Sequence, residues 1–423
     1  MPAKGVKKVG IAATATLVLA ISAGLVSSAP AQTGTTDLVR VLFVGNNWDG
    51  TADVIRRGGT QDHPDWTRVA RINVIPDIQE RLAEINTDPE RLAYFLAIRE
   101  LVGEGHDQYV DDMYTSKDGQ LLVVSRPSLA DVVGIDLDTG QIAWRFRVAG
   151  QRSDHMAMSP DGQNVAVSAS TGNVVHILNT YTGQEVGRFD SGDSPHENNY
   201  SKDGTKIYHA SIGRVYTPTD QPELDTTKGD RRFQIVDVTT NPPTIIKKID
   251  MSQKLAEAGH PKMSGTVRPM ALSPAERFVY FQVSFFHGFV EYNLDEDRVT
   301  RIAHLPNLVP DMPREQYLLD SAHHGIAMNP EGTRLCVAGT MDDYAAIVNR
   351  GTFKYKLIQP GFTKPYWVTN SSDGDYCFIS WSGSDRISAI SYADRKLVDT
   401  VRVGDHPQRM RLGYVTRSWL QTH

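Results

Sequence analysis

One short turn recurs along this chain at a nearly fixed period, and that recurrence constrains the fold more than any other feature. It reads SKDG at 116–119, SPDG at 159–162, SKDG at 201–204, NPEG at 329–332 and SDG at 372–374, with SPAE at 273–276 as a degenerate copy. Successive copies end 43, 42, 72, 56 and 42 residues apart. A polar residue followed by Asp-Gly is a tight turn, with glycine supplying the left-handed backbone. Each turn sits between short β-branched runs, so about 42 residues hold four strands, the size of one propeller blade. The longer intervals carry insertions. A second turn recurs as DLDTG at 136–140, NTYTG at 179–183 and NLDED at 293–297. Its repetition in one hairpin slot reads as a plain turn rather than a calcium loop.

Six repeats cover the chain from about Tyr109 onward. Ahead of them lie three strand-like runs, Val39–Gly45, Ala52–Ile55 and Arg68–Ile75, one strand short of a blade. Behind them Gln408–Val415 is a strand left over. Pairing the two makes a seventh blade and removes the open sheet edges. The expected fold is therefore an all-β, seven-bladed propeller over 37–423, closed by its C-terminal strand. Two insertions interrupt it. Residues 77–104 place Ile78, Leu82, Ile85, Leu92, Phe95, Leu96, Ile98 and Leu101 at helical spacing after the first blade. Residues 213–231 are rich in Thr, Asp, Pro and Gly and read as a long loop. Both open on the face that carries the blade entrances, where lids and binding loops sit.

The N-terminus has Lys4, Lys7 and Lys8, an apolar run from Val9 to Val26, and an A-x-A site ending at Ala31. This order predicts a signal peptide over 1–31 and a short linker over 32–36, with a secreted or cell-surface protein starting near Gln32. An uncleaved anchor is the alternative. No second long apolar run follows, so no integral span is expected after the leader is removed. The formal net charge of −6 and the lack of a basic block exclude a nucleic-acid footprint. With only Cys336 and Cys377, there is no C-x-x-C-H motif and hence no c-type haem. Flat sheets stack ~10 Å apart and a disulfide needs Cα atoms within ~7 Å, so two buried thiols are expected in these adjacent repeats, with a disulfide, which export permits, as the alternative.

The x-P-D-G turns, the VVGIDLDTGQ strand pair at 132–141 and the VGDHP link at 403–407 resemble the YVTN/YncE-like propellers of secreted bacterial proteins. A literal VTN stands at 368–370, at a blade entrance rather than in a second strand. The resemblance implies the fold and little about activity. Look-alikes include the propeller subunit of quinohaemoprotein amine dehydrogenases, and fold does not choose among them.

Aligning the blade entrances by counting back from each Gly-turn gives Asp111 and Asp112, Asp154 and His155, His196 and Glu197, Arg268, His323 and His324, Tyr366 and Trp367, and finally Arg409. His287 lies at a hairpin tip opening on the same face. Histidines thus fall on four consecutive blades. Neutral imidazoles beside carboxylates suit a transition metal, making His155, His196, His287, His323 and His324 the candidate ligands. Glu197 and Asp154 are the candidate general bases. Asp111, Asp112, Arg268, Tyr366, Trp367 and Arg409 are candidate ligand-binding groups, the arginines for an anion. A metal-free polar pocket and a hydrogen-bonded rim account for the same residues. Two functional classes stay open: a metal-dependent enzyme (lyase, hydrolase or oxidoreductase) acting on a small polar or anionic substrate, and a non-catalytic module that binds an extracellular ligand.

Overall fold

The computed structural model describes residues 1–2, 5, 37–60, 63–215 and 221–423. The expected leader and linker, apart from Met1, Pro2 and Gly5, lie outside the described residues, as does the middle of the 213–231 insertion. From Leu38 onward the chain forms seven four-stranded antiparallel sheets. Blade I combines Leu38–Asn46, Thr51–Gly59 and Pro64–Asn73 with the last strand, Pro407–Thr416. Blades II to VII follow in order over 112–147, 153–190, 195–249, 267–304, 326–358 and 365–402. The innermost strand of each blade, which is the first in blades II to VII and Pro407–Thr416 in blade I, packs against those of its neighbours and so lines the central channel.

The recurrent turn is built the same way in each repeat. The Gly119, Gly162, Gly204, Gly332 and Gly374 amides close onto the carbonyl three residues back, all with φ between +69° and +81°. Glu276 takes the same left-handed position at φ 53° in the degenerate copy, which shows that the slot rather than the glycine is the repeating unit. Where the turn opens with serine and carries aspartate, the two side chains bond each other, as Ser159 Oγ to Asp161 Oδ1 at 2.5 Å. In the second turn, the Asp136, Asn179 and Asn293 side chains accept the turn's own N–H groups. Those oxygens are spent on the backbone, in agreement with a plain turn.

Burial follows position in the blade. The second strand of blade III, Asn164–Ala169, is buried from Val165 on, because neighbouring blades cover both its faces. The outer strand Thr244–Ile249 alternates exposed and covered residues. Inner strands therefore read as continuous apolar runs and outer ones as alternating, and each buried Val, Leu or Ile stabilises the packing by ~2 kcal/mol.

Closure is direct. Leu38–Asn46 pairs with Pro407–Thr416 from Leu38 opposite Thr416 to Asn46 opposite Pro407. Arg411 on this strand grips Asp112 of blade II through two bonds, at 2.8 and 2.7 Å. A final helix, Arg417–Thr422, buries Trp419, whose indole N–H donates to Leu137 O at 2.8 Å.

The helical insertion is a pair, α1 (Ile78–Thr87) and α2 (Pro89–Leu101). Asp88 separates them: its carboxylate caps the Glu90 and Arg91 amides, and Pro89 cannot continue α1. Ile85, Phe95 and Ile98 bury one face against Leu129 of blade II. Arg91 ties α2 down through Gln151 O and Ser128 O, at 2.9 and 2.7 Å.

One expectation is corrected. Cys336 and Cys377 form a disulfide, with Cα atoms 6.4 Å apart, and are not two thiols. The ~10 Å spacing holds for flat stacked sheets. Blades are radial wedges, and their second strands lie near the axis, where neighbours converge.

Candidate metal centre

The entrance residues sit on irregular backbone. The first strands of blades III, V and VII each carry three residues opposite two of the second strand, between Ser153 and Met156, Val267 and Met270, and Pro365 and Val368. Blade IV does the same between Pro195 and Glu197, with two residues opposite one. Each extra residue is a bulge, which breaks alternation and re-aims the side chains beside it. Asp154, His155, His196, Arg268, Tyr366 and Trp367 all lie at these bulges.

The bulges of blades III and IV turn His155 and His196 toward each other, and the link into blade VI brings His324 against them. Their potential ligand atoms all lie within 4.8 Å, and all three residues are buried. The rings of His155 and His196 are 3.6 Å apart by centroid, and His324 lies 5.9 and 5.7 Å from them. Glu197 Oε2 sits 2.6 Å from His155 Nδ1. Donation from that N–H leaves the Nε2 lone pair free, the way a carboxylate sets the tautomer of a metal-binding histidine. Nδ1 of His196 and Nδ1 of His324 are buried and have no hydrogen-bond partner. Leaving such groups unpaired costs ~1–3 kcal/mol each unless something occupies the gap.

A cavity of about 270 Å³ opens beside this cluster. Its walls include Asp111, Asp154, His155, His196, Tyr366 and Gln408 from the entrances, with Tyr94, Ala97, Ile98 and Leu101 of α2 above. Val215, at the start of the 213–231 insertion, and Leu319 complete the roof. Tyr366 stacks on His324 at 4.1 Å. Asp154 accepts from Arg152 at 2.7 Å and from Ser170 at 2.8 Å, and its other oxygen lies 3.7 Å from His155 Nε2.

Burial sets the protonation states. It holds His155, His196 and His324 well below the ordinary imidazole range, and the charge of Arg409 adds to it, so all three stay neutral with lone pairs available. Burial also pushes the Asp111 carboxyl up to about 7, with Asp154 adding to the rise and Arg409 opposing it. Glu197 is likewise pushed up to about 7 by burial against the pull of Arg409 and Arg411.

The other candidate residues do not join this group. His287 and His323 form a second cluster with Asp342. The single histidine arc read from the alignment is thus two clusters, because the adjacent His323 and His324 turn to different partners. Asp112, Arg268, Trp367 and Arg409 stand behind the cavity wall. Asp112 is held by Arg411. Arg268 bonds Ser284 Oγ at 3.2 Å and the Leu319 carbonyl. Arg409 bonds Asp111 at 2.7 Å and lies 4.7 Å over the Trp367 ring. Sequence reasoning missed Arg152, Leu319, Tyr317 and Asp342. Asp342 occupies the hairpin tip that His287 occupies one blade earlier, and that shared slot was the available clue. Leu319 and Asp320 have left-handed backbones, φ 48° and 65°, which no sequence pattern announces.

Fold and site together define a seven-bladed β-propeller with a roofed, histidine-rich channel mouth. No protein-family model matches the chain, and comparison with curated proteins finds no match. Among solved structures it is similar to hydrazine synthase of Kuenenia stuttgartiensis, with a TM-score of 0.52 and 15% identity over 70% of this chain and 88% of that one. The likeness lies in the fold.

Proposed function

We propose that this is an exported propeller enzyme that holds one transition-metal ion on His155, His196 and His324 and acts on a small polar or anionic substrate in the cavity beneath α2. The convergence of three neutral imidazoles, two with orphaned nitrogens, carries the reading. Three nitrogen ligands with room for a fourth group describe an open site for zinc, copper, iron or manganese, where a bound ion supplies Lewis-acid or redox chemistry. Within that frame Glu197 orients His155. Asp111 lines the cavity and changes protonation near neutral pH, which suits a group that exchanges a proton with substrate. Asp154 is fixed by Arg152 and Ser170 with its second oxygen toward His155. Arg409 supplies positive charge from behind Asp111. The leader-like N-terminus supports export, and the recurrent turns support a place among YVTN/YncE-like propellers.

Metal analysis of the purified mature protein tests this reading. An ion held tightly at this cluster, lost in His196→Ala and in His324→Ala while the fold persists, is the expected result. A metal-free protein that still binds small anions in the cavity would replace the enzyme with a binding module.

A further inference from the structure

We propose that His287, His323 and Asp342 form a second metal centre, separate from the first and independent of it, which takes a divalent ion of the zinc, iron or manganese kind. The three residues reach the spot from different places in the chain: the hairpin tip of blade V, the link into blade VI, and the hairpin tip of blade VI. Their potential ligand atoms all lie within 4.8 Å of one another, and the residues are 8%, 0% and 3% exposed. Asp342 Oδ2 is 2.6 Å from His287 Nδ1 and 2.9 Å from His323 Nε2. Donors ~2.1 Å from one ion and at right angles around it stand ~3 Å apart; the His323 contact matches that separation, and the His287 contact is a short hydrogen bond that an ion would open slightly.

Asp342 and His287 have their outward atoms held as those of metal ligands are held. Asp342 Oδ1 accepts the Leu308 amide at 2.7 Å. His287 Nε2 meets the Tyr317 hydroxyl at 2.9 Å, which fixes the ring with Nδ1 inward. The Tyr344 hydroxyl donates to Pro306 O at 2.9 Å and stands 3.1 Å from His323 Nε2, ready to complete the set. His323 is the exception, since its outward Nδ1 is buried without a partner. Two imidazoles and one carboxylate on one side of a site, with the other side left to hydroxyls, is a donor set for divalent iron, manganese or zinc. Tyr317 also borders a cavity of about 790 Å³ lined by Phe285, Phe286 and Arg314, which gives an ion a route to solvent.

Zinc titration of the chelator-stripped full-length protein tests the proposal. The wild type should take up two ions per chain, and both His196→Ala and the double variant His287→Ala with Asp342→Asn should take up one. A wild type that binds one ion and loses it only in the double variant keeps this centre and removes the first. Uptake that falls to nothing in His196→Ala overturns the second centre, as does two-ion binding that survives in the double variant. Should the double variant not fold, retention of one ion by His196→Ala supports the proposal and its loss overturns it.

Discussion

The seam that closes the ring and the cavity beneath α2 lie on the same strand, Pro407–Thr416, yet are built around different polar groups. At the seam charge meets charge, as Asp112 receives both arms of Arg411. At the cavity three imidazoles face one another, with Glu197 and Asp154 against His155, and two of their nitrogens have no partner. Satisfied polar groups hold a fold, whereas buried unsatisfied ones mark where a ligand completes it.

Cutting the chain before Pro407 should produce the largest effect. It removes a whole strand pairing and the buried Met410, Val415 and Trp419, worth roughly 5–9 kcal/mol together, as much as many domains have in total. Thermal unfolding should lose its cooperative transition, and an unchanged Tm would mean the ring does not depend on its seam. Next comes Arg411→Met, which leaves Asp112 buried without its partner and should cost about 3–5 kcal/mol in denaturant unfolding. A loss under about 1 kcal/mol would erase the distinction drawn here.

His406, beside the seam and stacked on Trp48 at 3.8 Å, gives a smaller effect that depends on pH. Burial depresses its pKa to about 3, and the nearby Lys364 contributes. The unfolded chain takes up a proton near 6.5 that the folded one refuses, so this stability is present above 6.5 and is lost as the pH falls toward the folded value. Between pH 6.5 and about pH 5 the loss is roughly 2 kcal/mol. A His406→Phe variant should lose correspondingly less over that range, which urea titrations at several pH values would show. His196→Ala should have the smallest effect on stability, within about 1 kcal/mol, since it deletes an unpaired group, yet it should remove the ion held by the cavity cluster. A large loss of stability with metal uptake intact would make the cavity cluster structural, like the seam.

Much of this was legible in the sequence because a turn announces itself. SPDG and its relatives need one backbone shape, and their spacing gave the blade size, the closing strand and the face that carries His155, His196 and His324. What the pattern could not give was direction. The bulges between Ser153 and Met156 and between Pro195 and Glu197 add a residue without altering the residue types, so strand alternation stops predicting where a side chain points. The same limit merged His287 and His323 with the other histidines. The Cys336–Cys377 bridge escaped because flat-sheet spacing misjudges how closely wedges converge near an axis.

The roof over the cavity has a consequence for how such a protein can change. It comes chiefly from α2, one unbroken stretch of chain entering between blades I and II, while the imidazoles come from blades III and IV and the link into blade VI. Lock and door are therefore encoded apart. An exchange of residues 89–101 would reshape the space above the imidazoles while leaving every imidazole in place, so selection or a designer can retune selectivity in one short segment without disturbing the ring.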